Sequence, residues 1–152
     1  MSPESFAAFA RSLVNDLGSD PLDDEIDEAG ARVRDVVREN FEEEIDGDGN
    51  VWEPRKRDYL HDPLRETFAM FGAATVRGAP GSVEVKSRSE LILGVSADEI
   101  EYAHDQNFGN PDKNLPAREY MHVRDDKVDR LEEPLAGGVR RVVDDGVRRN
   151  QA

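Results

Sequence analysis

From Asp20 to Ile45 the apolar residues fall at three- and four-residue steps without a break: Ile26, Ala29, Val33, Val36, Val37, then Asn40, Phe41 and Ile45. Only a helix gathers such positions onto one face. Asp20 can cap it and Pro21 suits its first turn. Glu28 with Arg32, and Arg38 with Glu42, add opposite charges four residues apart on the exposed side. A helix from about Pro21 to Ile45 is roughly 37 Å long at 1.5 Å per residue. The chain has 152 residues, enough for one modest core but not two. A helix of that length must be the element on which everything else packs.

The remaining periodicities arrange themselves around it. Before it, Ser2-Pro3-Glu4 can open a helix whose stripe is Phe6, Phe9, Ala10, Leu13, Val14 and Leu17, stopped by Gly18. After it comes the turn Asp46-Gly47-Asp48-Gly49-Asn50, then an extended Trp52-Glu53-Pro54. A third helix is predicted from Pro63 to Thr75, with Leu64, Phe68 and Phe71 on one face. Val83 and Val85, then Leu91, Leu93 and Val95, alternate about a Ser87-Arg88-Ser89 turn and predict an antiparallel hairpin with one buried face. Ser96-Ala97-Asp98-Glu99 has the form of a capping box for a short helix. Glu119 to Arg124 suggests one more strand. Val128, Leu131, Leu135, Val139, Val142 and Val143 give a helical tail that Pro134 either kinks or restarts. The predicted class is α+β: a small antiparallel sheet against a long amphipathic helix, in a single domain with residues 1–18 as N-terminal helix, 20–124 as core and 125–152 as helical tail.

Few kinds of chemistry are open to this composition. Cysteine is absent, which removes disulfides, thiol nucleophiles and thiolate metal sites. His61, His104 and His122 lie in unrelated segments without paired ligand spacing. The Asp-x-Asp-x-Asn of residues 46–50 has Val51 where a calcium loop needs Gly and Arg57 where it needs Glu. No phosphate loop, dinucleotide fingerprint or nucleophile elbow is present. No enzyme activity, metal or cofactor is therefore expected. The N-terminal residues lack a secretory pattern, and no apolar run of eighteen residues exists to cross a membrane.

Two stretches together resemble the virion-morphogenesis, or tail-completion, proteins of Mu-like phages. The first is Phe41 followed by Asp48-Gly49-Asn50-Val51-Trp52-Glu53-Pro54-Arg55-Lys56, similar to that family's Asp-Gly turn, Trp-x-Pro and basic residues. The second is Tyr102-Ala103 through Phe108-Gly109, then Pro116-Ala117-Arg118-Glu119-Tyr120-Met121. Gln106-Asn107, Glu119 and Tyr120-Met121-His122 depart from the family pattern. The order and spacing match over about Ala29 to Asp125. The resemblance implies a non-enzymatic ring at the head–tail junction of a tailed virus, commonly of six copies, assembled in the host cytoplasm. Its partners would be copies of itself, the tail tube protein and the neck or connector proteins. Genome DNA would pass through without specific binding, as carboxylates repel phosphates. Trp52, Pro54, Arg55, Phe108, Pro116, Arg118 and Tyr120 are the candidate contact residues. Each has a plain structural role open to it: Trp52 and Phe108 as anchors to the core, and Arg118 as a clamp on its own chain or on a neighbour's carboxylate. The rival reading is an acidic DNA mimic that binds a DNA-handling enzyme.

Thirty-four acids oppose twenty bases, a formal charge of −14, and only four of the bases are Lys. Such a surface disfavours nucleic-acid binding and suits a protein that must stay hydrated in strong salt, as in a halophilic host. Self-repulsion is strongest where the screening length is long. The melting temperature is therefore expected to rise as salt increases from about 0.05 M to about 2 M. A calorimetric series that stays flat or falls would remove the halophilic reading.

Overall fold

The long helix is α2, Asp23–Glu43, in a computed structural model that describes residues 3–19, 22–54, 68–88 and 90–151. Asp20 and Pro21, its expected opening, lie outside the described residues, as do Arg55 to Thr67 and Ser89. Leu22 occupies the cap position, and Asp23, Asp24 and Glu25 place negative charge on the positive end of the helix. The helix ends two residues sooner than the stripe suggests. Glu44 turns left-handed at φ 53°, which frees Ile45 to pair with Val51 across the tight turn.

Around α2 stand α1 (Pro3–Gly18), α3 (Ala69–Thr75), the hairpin strands β1 (Ser82–Lys86) and β2 (Leu91–Val95), α4 (Ala103–Phe108) and α5 (Asp125–Gln151). The class is α+β, with a two-stranded antiparallel sheet. α3 begins after Phe68, which takes a positive φ of 53° and is 64% exposed, whereas Phe71 packs inward; Leu64 and the expected start at Pro63 lie outside the described residues. The Ser96 turn closes with Glu99 N–H on Ser96 Oγ at 3.4 Å, but helical structure starts only at Ala103.

The hairpin corrects a second expectation. Its register sets Lys86 opposite Leu91 and Val85 opposite Ile92. Residues directly opposite share a face, and a slip of one exchanges the faces. Val83 and Val85 therefore share a face with Gly94 and Ile92, and Val85 and Ile92 are exposed. Leu91, Leu93 and Val95 share the other face with Lys86, Glu84 and Ser82. The charges on that face are matched by α2: Glu84 pairs with Arg34, and Lys86 reaches Asp23 at 2.6 Å and Asp27 at 3.0 Å. Gly30 makes room, since a Cβ there would meet Leu91 at 2.7 Å.

α5 lies along the opposite side of α2. Pro134, Gly138, Val142 and Gly146 form its buried row, a stripe of small residues, whereas Val139 is 40% exposed. At Gly138 a Cβ would meet Glu25 and Leu22 at 2.7 Å, so the helices touch closely there. Ion pairs fix the register. Lys127, 6% exposed, reaches Glu39 at 2.8 Å and Arg130 reaches the same carboxylate at 2.9 Å. These hydrogen bonds, Arg130 first, hold the Glu39 carboxyl down to about 2. Near the chain ends, Arg149 meets Asp16 of α1 at 2.6 Å.

Pro134 neither ends nor restarts α5. Proline has no N–H, so the carbonyl four residues earlier loses its helical partner. That carbonyl belongs to Arg130, and Arg32 of α2 donates to it at 2.8 Å while also holding Glu133 and Glu28 at 2.6 Å each. Arg32→Ala is expected to lower stability by leaving that carbonyl without its donor. With Pro134→Ala the helical N–H returns, and the cost of losing Arg32 should shrink in a urea-denaturation double-mutant cycle. Strictly additive costs would show that Arg32 does not repair the proline gap.

Candidate contact site

The core gathers at the C-terminal half of α2, where Val37 and Phe41 meet Trp52, Met70, Ala73, Ala74, Ile100, Ala103 and Tyr120. Phe41 is the hub of its rings, with Tyr120 at 5.0 Å, Phe71 at 5.3 Å and Trp52 edge-on at 6.3 Å. Trp52 is delivered by the turn before it. The Asp46 carboxylate accepts the Asp48 N–H at 3.0 Å and the Asn50 N–H at 2.8 Å, hydrogen bonds that hold its pKa below the usual range, Asn50 foremost. Asp46 thus acts as a staple within its own turn. Trp52 N–H then donates to Glu44 C=O at 2.7 Å.

Glu119 to Arg124 is not a strand, against the sequence expectation. Its backbone groups are taken by two buried asparagines instead of by a neighbouring strand. Asn107 Oδ1 accepts both Tyr120 N–H and Met121 N–H at 3.0 Å. Asn40 Nδ2 donates to Tyr120 C=O at 3.0 Å and His122 C=O at 2.9 Å. Asn40 stood in the apolar stripe and Asn107 among the departures from the family pattern. A lone amide among Val36, Val37 and Phe41 was the signal available for the first.

The second resembling stretch closes on itself through these bonds. Arg118 N–H donates to Gln106 C=O at 2.7 Å, and its guanidinium lies 3.4 Å from Gln106 Oε1. Tyr120 Oη donates to Ala103 C=O at 3.2 Å, and burial raises the pKa of its phenol. Gly109, at φ 76°, lies so close that a Cβ would stand 2.8 Å from Ala117 N. That is why glycine follows Phe108.

The candidate residues therefore divide. Trp52, Arg118 and Tyr120 are 7%, 7% and 2% exposed and hold the unit together. Pro116 is half-buried, Pro54 is exposed, and Arg55 lies outside the described residues. Phe108 is not an anchor: it is 66% exposed, its ring 4.9 Å from that of His104. Among the described residues no group of three acidic or histidine side chains could hold a metal ion, and no helix is long and apolar enough to cross a membrane. Comparison with known protein families, curated proteins and solved structures gives no match.

Replacing Asn107 by Ala removes one acceptor and leaves two backbone N–H groups unpaired. At about 1–3 kcal/mol per orphaned group, Asn107→Ala should lower the unfolding free energy by roughly 2–5 kcal/mol in urea titrations. A loss below about 0.5 kcal/mol would mean that water replaces the amide and the clasp is not structural.

Proposed function

We propose that this chain is a structural subunit of a tailed-virus particle, not an enzyme. In this reading it completes or terminates the tail and joins it to the head–neck connector, as a ring of six copies around the DNA channel. The observation that carries the reading is the convergence of the two resembling stretches. Residues from Phe41 to Trp52 and from Ala103 to Tyr120 pack into one aromatic cluster, and Phe108 is left exposed at its edge. An aromatic side chain with few rotatable bonds suits a subunit contact, because little conformational entropy is lost when it is covered. A closed ring then arises from one heterologous contact repeated until it closes. The DNA-mimic alternative needs long rows of free carboxylates, yet along α2 Asp23, Glu25, Asp27, Glu28, Asp35 and Glu39 each hold a cation, and the exposed acids Asp125, Asp129 and Glu132 of α5 make a row of three.

Trp52→Ala should destabilise the isolated protein by about 3–5 kcal/mol. Phe108→Ala should leave its stability within about 0.5 kcal/mol while heads and tails fail to join when the variant replaces the native protein. Electron microscopy of lysates counts joined particles, and chemical denaturation reads stability. Infectious virions assembled without the protein, or joined normally with Phe108→Ala, would end this reading. Normal particles together with tight binding to a DNA-handling enzyme would favour the mimic.

A further inference from the structure

The phase of the hairpin's hydrogen bonds decides what its free edges offer. Ser87 N–H donates to Glu90 C=O at 2.8 Å, and Ser96 N–H donates to Gly81 C=O at 2.8 Å. Bonded pairs in an antiparallel ladder recur at every second residue. Val83 with Gly94 and Val85 with Ile92 are therefore the bonded pairs of this register. Glu84 and Lys86 turn their backbone N–H and C=O groups the other way, off the outer edge of β1, and no described residue takes them up. Across the edge of β2 stands α5, beyond a groove lined by Leu91, Leu93, Leu131 and Leu135, whereas β1 borders no further described strand.

Inward-pointing charges commonly blunt such an edge. β1 carries two of opposite sign, Glu84 and Lys86, with side chains only 20% and 21% exposed. Both are anchored to α2, Glu84 by Arg34 and Lys86 by Asp23 and Asp27. If β1 pairs antiparallel with another β1, these charges select the register. Glu84 opposite Glu84, or Lys86 opposite Lys86, sets like charges together and is destabilising. The register between those two places Glu84 opposite Lys86 on both sides of the two-fold axis. There the outward backbone groups of Glu84 and Lys86 meet as bonded pairs, and Val85 faces Val85 as the closer, non-bonded pair. Val85 is 53% exposed and lies on the uncharged face of the hairpin, with Val83, Ile92 and Gly94.

We propose that β1 pairs antiparallel with β1 of a second copy, joining two hairpins into a four-stranded sheet of order β2-β1-β1-β2. The contact is an isologous strand addition, chosen by charge complementarity between Glu84 and Lys86 across the axis. The whole-molecule charge of −14 opposes the approach of the copies. Salt screens that long-range repulsion more than it screens half-buried pairs, so the dimer strengthens as salt rises. The inference does not rest on the viral reading, and Phe108 has no part in it.

Sedimentation equilibrium of the intact protein in about 2 M salt should show a dimer forming between about 10 μM and about 1 mM. Over the same range the Glu84 and Lys86 amides should slow in hydrogen exchange. The Val83 and Val85 amides, already bonded within the hairpin, should not change. Val85→Lys sets two like charges across the axis and should weaken association about tenfold or more, with the Val83 amide as protected as before. Phe108→Ala should leave the dimer intact. A monomer throughout that range would overturn the proposal. So would a dimer whose Glu84 and Lys86 amides exchange as in the monomer, one that Val85→Lys does not weaken, or one that Phe108→Ala dissolves.

Discussion

Asn40 is fully buried in the middle of α2, and both hydrogens of its amide go to carbonyls of the segment that crosses the helix there. A buried N–H donor is costly to leave unpaired, so the amide nitrogen fixes where residues 120–122 can lie, while Oδ1 is buried without a hydrogen-bond partner among the described residues. With the crossing fixed, Tyr120 is laid against Phe41 and its hydroxyl reaches α4. Asn107 returns the tie from α4 to the same three residues. Two amides thus do locally what a third strand would do with a ladder. The aromatic cluster, the crossing segment and α4 form or fail together, which makes this unit the natural holder of the exposed Phe108.

What could be read from the sequence was whatever depends on one segment at a time. The α2 stripe, the two short strands, the helical tail and the class all follow from periodicity within a segment, and each is present. The errors fall where two segments must agree. The hairpin faces turned on register, which the alternation of Val83–Val85 and of Leu91–Val95 does not specify by itself. Glu119 to Arg124 has the composition of a strand, but its partners are side chains brought from residues far away in sequence. The same holds for the candidate site. Its members were named from short motifs, but which would be buried and which exposed was set by the fold: Phe108 lies outside and Arg118 inside because Gly109 turns the chain back against Ala117.

The bias toward arginine has a local counterpart in the packing. Arg32 serves three acceptors at once, including the carbonyl that Pro134 leaves unpaired, and Arg130 grips both oxygens of Glu39. A planar fork with several donors can do this where a lysine ammonium on a flexible stem holds no fixed geometry. A proline within α5 is thereby tolerated, its lost bond replaced from the neighbouring helix.

The acids of this chain consequently belong to two populations that respond to salt in opposite ways. Those facing Arg34 and Lys127 form pairs around cations only 8% and 6% exposed, and ions in solution screen such buried pairs poorly. Those on the outer row of α5, Asp125, Asp129 and Glu132, are exposed and form no ion pair among the described residues, and repulsion between such acids is readily screened. Salt therefore removes more of the repulsion than of the attraction. The arrangement also limits how the protein can associate. Copies approach one another against the repulsion between like-charged bodies, whereas a cationic body is attracted before any contact is made. One charge distribution thus opposes contact between like molecules and favours approach of bodies of opposite sign.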